Sequence, residues 1–341
     1  MRRYKSLLVF AFVLMLTVTG FTYLSGHADR TTAVPVHELR VLTTLPAEPA
    51  AILAAEYEHV SRVRINFVPL SAKELTQRLT GAKKDKAELV LADSAVLRQA
   101  AANGAFVPFT SEQTDAVADE FKAEDDAWAG VWYDPVVFCY NNDYLRLLPR
   151  IPKSWHDLPG PGGMRIGLTD FLAADASANL FFSLVTNLGE KQTMRLLTAV
   201  QPHVVQYAKY LSTPVRMTGM GEADFSLVVQ SEALRYINDG YPLRLVYPVD
   251  GTAYQLTGVA LCSDEGPETA VAQHFAEWLL SDEAQLALQK NNFYFISTNP
   301  MTLAYKSFAG KNLVLFDKQP DFAEAERHRL LDTWVKEVRL R

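Results

Sequence analysis

Along the first third of the chain, segments with the apolar spacing of a strand alternate with segments that have the apolar spacing of a helix. Strands are predicted at 39–43, 64–69 and 88–92, and helices at 46–57, 72–80 and 95–102. The third strand reads ELVLA and is almost wholly apolar, as a strand buried in a parallel sheet requires. This β-α-β-α-β-α order predicts an open α/β sheet.

The pattern changes near Trp128, because the strand predicted at 132–141 has no helix before it. Pro135 lies inside this strand, which favours an edge strand or a segment that crosses between domains over a central strand. A second α/β unit follows, and a second crossing strand is predicted at 254–262. The second unit and the C-terminal region add strands at 164–168, 225–229 and 243–247 and helices at 177–188, 231–238, 267–280, 282–290 and 321–338.

Two crossings between two α/β units predict a protein of two lobes. Lobe 1 is predicted to comprise residues 38–133 and 263–341, and lobe 2 residues 134–262. Ligands of open α/β sheets bind at the carboxyl ends of the strands, so the cleft between the lobes is the predicted site. Hinge motion at the crossings would open and close this cleft.

The N-terminal residues predict export. Three basic residues within the first five precede an uncharged stretch from Ser6 to Leu24, and Gly26-His27-Ala28 offers small residues for cleavage. Residues 1–28 are therefore predicted to be a secretory signal. Because the apolar stretch is nearly long enough to span a bilayer, an uncleaved N-terminal anchor is the alternative. Both place the body in the periplasm or at the extracellular face of the cytoplasmic membrane.

Charge and motif content exclude several classes of function. The chain of 341 residues has 33 Lys and Arg against 39 Asp and Glu, and a mildly acidic body disfavours nucleic acid, whose phosphates need a basic face. The sequence has no nucleophile elbow, P-loop, dinucleotide-binding or zincin motif, and its seven His form no pair at metal-ligand spacing. We therefore expect a binding protein without catalytic residues, cofactor or metal.

Five stretches of the chain carry a family resemblance. They are 88–92 with 105–108, 128–141, PKSWHDL at 152–158, 247–252, and AQHFAEWLLSDEAQ at 272–285. In this order they resemble the type II periplasmic solute-binding proteins of ABC importers, in the group that includes ferric-iron and phosphonate or other organic-anion binders. The resemblance implies a type II two-lobed fold and a monomer that captures a small solute and delivers it to an ABC permease.

Two positions depart from the ferric-iron binders of that group, which hold the metal with neighbouring tyrosines and often a His. Residues 229–232 read VQSE in the corresponding region, and the first strand ends in Thr43-Thr44. These departures favour an anionic or oxyanion-bearing solute over a hard trivalent metal. A ferric-iron binder is one alternative, and a membrane-anchored receptor that feeds a signalling system is another.

Ten residues are candidate ligand contacts, and each has a structural role as its alternative. They are Thr43, Thr44, Ser94, Tyr133, Asp134, Asp170, Ser177, Gln230, Ser231 and Tyr254. The hydroxyls and helix starts among them suit an oxyanion or the capping of a helix, and Asp170 and Ser177 echo an anion-binding loop of the family. The tyrosines would stack on a ligand or pack at the hinge, and Asp134 would bind an amine or cap a turn.

Cys139 and Cys262 lie one on each predicted crossing. Because the resemblance implies that the crossing strands run close together, a disulfide in an oxidising compartment is one expectation. Two buried thiols are the other.

Overall fold

The computed structural model describes residues 37–81, 87–160, 162–263, 266 and 268–341. The predicted signal or anchor, residues 1–28, lies outside the described residues. The strands are β1 (Glu38–Thr43), β2 (Arg64–Pro69), β3 (Leu89–Asp93), β4 (Ala129–Asn141), β5 (Ile166–Thr169), β6 (Val204–Ala208), β7 (Phe225–Val229), β8 (Leu243–Val246), β9 (Tyr254–Leu261) and β10 (Ile296–Ser297). The helices are α1 (Ala47–Ser61), α2 (Ala72–Thr80), α3 (Ser94–Ala101), α4 (Glu112–Ala116), α5 (Asn142–Leu145), α6 (Asp175–Leu188), α7 (Glu190–Val200), α8 (Ser212–Gly219), α9 (Gln230–Asn238), α10 (Thr269–Leu279), α11 (Asp282–Lys290), α12 (Leu303–Phe308) and α13 (Glu324–Trp334).

The strands form a sheet of two halves that share β4. In the first half the order is β2-β1-β3-β9-β4, where β1 and β3 are parallel and β9 is antiparallel to both of its neighbours. In the second half β4 is followed by β7, β5 and β6, with β5 parallel to both of its neighbours. The short strands β10 and β8 also pair with β4, in the first and the second half respectively. This architecture confirms the predicted α/β fold class.

Pro135 lies where β4 passes from one half of the sheet to the other. Residues up to Pro135 pair with β9, and residues from Val136 onward pair with β7. A proline donates no N–H to a neighbouring strand, so it costs least where the pairing changes from one partner to the next. The strand is central and buried along its whole length, so the crossing segment is the correct prediction and the edge strand is wrong.

Each half of the sheet has a hydrophobic core of its own, which gives the molecule two lobes. The core of lobe 1 packs α1, α3, α10 and α11 against β1, β3 and β9. The core of lobe 2 packs α6 and α7 against β5 and β7, and a smaller cluster around Val137 and Val215 covers the opposite face. Since the two cores are separate, the predicted cleft lies at the crossover of β4.

The C-terminal helix α13 packs on lobe 2, although the sequence placed all of residues 263–341 in lobe 1. Trp334 is fully buried in the second core, with its ring centroid 4.8 Å from that of Phe171. The chain therefore crosses between the lobes a third time, near Phe316, whose N–H donates to the carbonyl of Thr252 at 2.9 Å. The prediction was wrong for this helix because an amphipathic pattern marks a buried face and does not identify the core that receives it.

Four elements of lobe 2 were not predicted, namely α5, α7, β6 and α8. β6 is the edge strand of the second half-sheet, and most of its VVQYA sequence is at least partly exposed. A strand with so little burial carries no alternation of apolar and polar residues, which is the signal that sequence analysis uses.

Cys139 and Cys262 are not joined by a disulfide. Cys139 lies in lobe 2 opposite Ser226, whereas Cys262 follows β9 in lobe 1 and donates its N–H to the carbonyl of Glu88. The antiparallel pairing of β4 and β9 ends at Pro135 and carries the two residues away from it in opposite directions. The expectation of a disulfide is therefore wrong. Of the two buried thiols expected as the alternative, Cys139 is buried but Cys262 is partly exposed.

The replacement Trp334→Ala should destabilise lobe 2 far more than lobe 1. Removing a fully buried indole leaves a cavity against Phe171 and Phe181, at a typical cost of about 3–5 kcal/mol of unfolding free energy. Urea unfolding would measure the loss, and hydrogen exchange should rise in β5 and α6 before it rises in β1 and β3. Lys336→Ala, an exposed site two residues later, is the control and should leave both unchanged. Equal exchange in the two lobes would contradict the assignment of α13.

Candidate functional site

Three aromatic rings pack together at the crossover of β4, where the predicted cleft would lie. The ring of Tyr133 stacks on Phe121 at a centroid distance of 5.2 Å, and Tyr254 stands edge-on to both at 5.8 and 5.9 Å. Tyr133 and Tyr254 are 7% and 4% exposed, so both pack at the hinge. The Tyr254 hydroxyl is hydrogen-bonded to Gln319, a residue of the third crossing segment.

Asp134 follows Tyr133 and points to the start of helix α9 in lobe 2. Its carboxylate accepts the Ser231 N–H at 3.0 Å and the Ser231 hydroxyl at 2.5 Å. Burial raises the pKa of Asp134 to about 7, against the effect of these hydrogen bonds and with a further increase from the charge of Glu232. The sequence offered Gln230 and Ser231 as donors to a ligand oxyanion, yet the carboxylate of Asp134 already occupies the N-terminus of this helix.

Polar groups beside Asp134 have unused hydrogen-bonding capacity. Gln230 is fully buried, and its Oε1 accepts the hydroxyl of Tyr247 at 2.6 Å. Within the described part of the chain, Gln230 Nε2 and the buried Glu232 Oε2 have no hydrogen-bond partner. Burial also raises the pKa of Glu232. This corner therefore holds one unpaired donor and one unpaired acceptor next to a buried carboxylate.

The two threonines at the end of β1 bond within lobe 1. Thr43 is fully buried, donates its hydroxyl to the carbonyl of Leu91 at 2.6 Å and accepts the N–H of Leu45 at 3.0 Å. Thr44 accepts the N–H of Asp93 at 3.1 Å. Thr43 thus has no hydroxyl hydrogen left for a ligand, and Thr44 helps to hold the turn into helix α3.

Asp93 and Ser94 begin helix α3 on the lobe 1 side of the cleft. Burial raises the pKa of Asp93 to about 6, while hydrogen bonds from Gln255 and Thr44 oppose the increase and the charge of Asp175 adds to it. Asp175 is the first residue of α6 in lobe 2, so this charge acts between the two lobes. Ser94 accepts a hydrogen bond from Arg98 at 3.2 Å.

Asp170 and Ser177 are engaged inside lobe 2. The carboxylate of Asp170 pairs with Arg339 and accepts the N–H of Leu172 at 2.9 Å. Ser177 donates its hydroxyl to two carbonyls at 2.8 Å. A small, open depression beside Ser177, at the carboxyl ends of β5 and β7, is otherwise lined almost entirely by apolar side chains. The anion-binding loop that these residues echo is therefore used here to hold the start of α6.

The structure thus brings Tyr133, Asp134, Gln230, Ser231 and Tyr254 together at the crossover. Thr44 and Ser94 lie in lobe 1 beside Asp93, with bonds to Asp93 and to Arg98, while Thr43, Asp170 and Ser177 also bond into their own lobes. Sequence analysis missed the cleft residues Glu232, Tyr247, Gln255 and Asp175 and the segment around Gln319. Glu232 and Gln255 each directly follow a predicted contact, and Asp175 lies with Ser177 in the stretch that echoes an anion-binding loop. These were the available signals, and Gln319 had none.

The described residues contain no group of three or more His, Cys, Asp and Glu side chains placed to hold a metal ion. Over the same ranges, no helix is both long and apolar enough to cross a membrane.

Comparison with known proteins places the chain among binding proteins. The family model for bacterial extracellular solute-binding proteins matches residues 42–294. An uncharacterized protein of Haemophilus influenzae is 28% identical over 253 residues, which cover 71% of this chain and 73% of that protein.

Solved structures of periplasmic binding proteins share the fold. AfuA from Actinobacillus pleuropneumoniae, with exogenous fructose-6-phosphate bound, is 21% identical, and the match has a TM-score of 0.69 and covers 89% of this chain and 99% of AfuA. Iron-bound HitA from Pseudomonas aeruginosa is 20% identical, with a TM-score of 0.71 and coverage of 87% and 99%. These neighbours carry different ligands, so the shared fold leaves the ligand of this chain undefined.

The stability of the ligand-free protein should fall as the pH rises from about 4 to about 7. The pKa of Asp134 is about 7 and that of Asp93 about 6 in the folded chain, against 3.8 for an ordinary Asp. The folded chain therefore retains protons that the unfolded chain has lost, and each such proton contributes a limiting slope of about 1.4 kcal/mol per pH unit. Asp134→Asn should flatten the dependence in urea unfolding curves.

Asp239→Asn is the matched control for this measurement. Asp239 is an exposed acid directly after the other end of helix α9, so its replacement should retain the wild-type pH dependence. If the unfolding free energy of Asp134→Asn depended on pH in the same way as that of the wild type, the raised pKa of Asp134 would be contradicted.

Proposed function

This chain belongs to the bacterial extracellular solute-binding protein family, and we propose that it captures a small organic solute in the cleft between its lobes and passes it unchanged to an ABC permease. The observation that carries the proposal is the group at the β4 crossover, where Tyr133, Asp134, Gln230 and Tyr254 meet between two separate cores. A site of this kind, with an aromatic floor and a few polar groups, suits a small organic molecule.

Capture by lobe closure is supported by the way in which the lobes are connected. Each lobe has its own core, and the chain crosses at Pro135, near Tyr254 and near Phe316. Such crossings can absorb a hinge rotation while both cores stay packed. A ligand that contacts both lobes then stabilises the closed form, which is the form that a permease would recognise.

Binding without chemistry is supported by the state of the cleft hydroxyls. Ser177 donates to backbone carbonyls, and Ser231 donates to the carboxylate of Asp134 as part of a helix cap. A nucleophilic serine needs a general base, and Ser177 donates to none. Ser231 does donate to a carboxylate, but that carboxylate also accepts the Ser231 N–H and so serves as the cap of α9.

Ferric iron is the alternative ligand that the fold neighbours raise, and the tyrosines disfavour it. The Tyr247 hydroxyl donates to Gln230, and the Tyr254 hydroxyl is bonded to Gln319. Burial raises the pKa of Tyr133 and of Tyr247 above the ordinary value, which opposes the phenolate form that a ferric ion requires.

We further propose that the protein acts as a monomer at the outer face of the cytoplasmic membrane and binds no nucleic acid. Export is supported by the signal-like sequence of residues 1–28, and the family is extracellular. An anchored receptor would use the same cleft for sensing. N-terminal sequencing of the protein from membrane and soluble fractions distinguishes an anchored receptor from a released carrier.

A thermal-shift screen should find at least one small organic solute that raises the melting temperature. The screen covers sugar phosphates, phosphonates, carboxylates, amines and amino sugars, and a solute at about 100 times its dissociation constant stabilises the folded state by about 2.7 kcal/mol. Tyr133→Ala should weaken binding of that solute at least about tenfold by removing the floor of the cleft. Tyr210→Ala, at an exposed tyrosine, is the control. The proposal fails if no solute acts and if native mass spectrometry of the purified protein shows no bound small molecule.

Addition of ferric citrate should produce neither a visible phenolate-to-iron absorption band nor a rise in melting temperature. The physical reason is that two of the three cleft phenols are engaged in hydrogen bonds and that burial resists ionisation of the third. An absorption band that Tyr133→Phe abolishes would instead establish the iron alternative.

A further inference from the structure

Three helices start at the cleft, and a carboxylate of the chain itself lies at each of these starts. Asp93 precedes α3 in lobe 1, and Asp175 is the first residue of α6 in lobe 2. At α9 the carboxylate of Asp134 accepts the N–H of Ser231, and Glu232 lies in the first turn. A helix N-terminus attracts anions through its unpaired N–H groups and its dipole. At α9 the carboxylate of Asp134 already accepts a helix N–H, so an anionic ligand would meet negative charge there. At α3 and α6 the acids lie at the helix starts but make no capping hydrogen bond.

Basic side chains do not offset the charge at Asp134. The groups whose charge changes the pKa of Asp134 or of its neighbour Tyr247 are acidic, with Glu232 acting on Asp134 and Asp134 acting on Tyr247. Arg235 is one turn along α9 and acts on Glu232 only.

Two arginines act on other groups of the proposed cleft, Arg98 on Tyr254 and Arg327 on Asp175. Arg98 faces Asp321 and donates to the carbonyl of Pro320. Arg327 faces Glu324 and Asp175 and lies over the ring of Phe182 at 4.2 Å.

Unpaired polar atoms beside the carboxylates point to a ligand independently of the charges. Gln230 is fully buried, and its side-chain amide lies at the Asp134 corner because its Oε1 accepts the hydroxyl of Tyr247. Gln230 Nε2, Glu232 Oε2 and Gln255 Oε1 are buried and have no partner among the residues that the structure describes. A buried polar group without a partner is costly, so a molecule that binds here gains by pairing with these atoms. The set requires two donors and one acceptor from that molecule.

We propose that the solute held in this cleft carries a protonated amine next to a hydroxyl or carbonyl oxygen. The ammonium group lies against Asp134 and Glu232, and the neighbouring oxygen accepts the hydrogen bond from Gln230 Nε2. This inference rests on the proposed function, solute capture in the cleft, and it replaces the anionic solute that the sequence favoured. The raised pKa of Asp134 agrees with it, since a buried carboxylate without a counter-charge resists ionisation until a cation arrives.

Two matched sets of probes test the sign of the ligand charge. Glucosamine, glucose and glucose 6-phosphate share a ring, while ethanolamine, ethylene glycol and glycolate share a two-carbon frame. The rise in melting temperature of the whole protein is measured against probe concentration for each compound. The amine of each set should stabilise the protein most and the anion least. Stronger stabilisation by an anion, or equal responses within both sets including the absence of any response, would overturn the inference.

Variants of the carboxylates locate the effect. Asp134→Asn and Glu232→Gln should each weaken binding of the stabilising amine at least about tenfold, as expected when one partner of a buried charge pair is removed. Asp239→Asn should leave the affinity unchanged. Because Asp134 also caps α9, Glu232→Gln is the decisive variant if circular dichroism shows that Asp134→Asn is misfolded. Unchanged affinity in Glu232→Gln would then overturn the placement of the amine.

The outcomes separate this inference from solute capture itself. A phosphate or carboxylate probe that stabilises the protein and closes the lobes, as measured by small-angle scattering, would contradict the proposed amine. It would still agree with the proposal of solute capture. The proposal of solute capture would be contradicted only if no solute in the broader screen stabilises the protein and native mass spectrometry of the purified protein shows no bound small molecule.

Discussion

The structure depends on β4 belonging to both halves of the sheet. A strand shared in this way must give up one set of neighbours and take another without leaving buried backbone groups unpaired, and it does so at Pro135, which has no N–H to leave unpaired. The next residue, Val136, recovers its pairing at once, because its N–H donates to Ala253 and its carbonyl accepts the hydroxyl of Thr252. The change of partner places Tyr133 and Asp134 between the two cores, which is why the site lies there.

The same crossover determines the chemistry of the cleft. Asp134 directly precedes the proline and is buried, so its carboxylate needs donors, and the start of α9 supplies them. A helix start that accepts a carboxylate from its own chain is no longer available to an anion from solution. The buried carboxylate of Asp134 on β4 therefore occupies a helix start that could otherwise bind an anion. This local arrangement differs from anything that the fold class implies, since related folds hold ligands as different as iron and a sugar phosphate.

The sequence was most informative where burial is complete. β3 and β7 are continuous apolar stretches and were found almost to the residue, and the helices around them show a clear apolar face. The edge strand β6 could not be predicted, because an exposed strand has no periodic apolar pattern. The lobe on which α13 packs could not be predicted either, because an apolar face does not show which core it joins. The candidate contacts were chosen correctly as groups at strand ends. Whether a hydroxyl such as that of Thr43 is used internally depends on the neighbouring strand, and β1 alone does not contain that information.

The carboxylates of Asp93 and Asp175 lie on different lobes, and their repulsion would make closure of the lobes depend on a bound ligand. The charge of Asp175 raises the pKa of Asp93, so closing the empty cleft would bring like charges together in a region of low dielectric constant. On the proposed assignment the ammonium group lies against Asp134 and Glu232, and its positive charge at the boundary between the lobes lowers the free energy of the closed form more than that of the open form. A ligand shifts a conformational equilibrium only by the difference in its affinity for the two forms, and this arrangement makes that difference large. Repulsion in the empty cleft would then keep the lobes apart until a solute of the right charge arrives, so that a permease meets the closed form only when it is loaded.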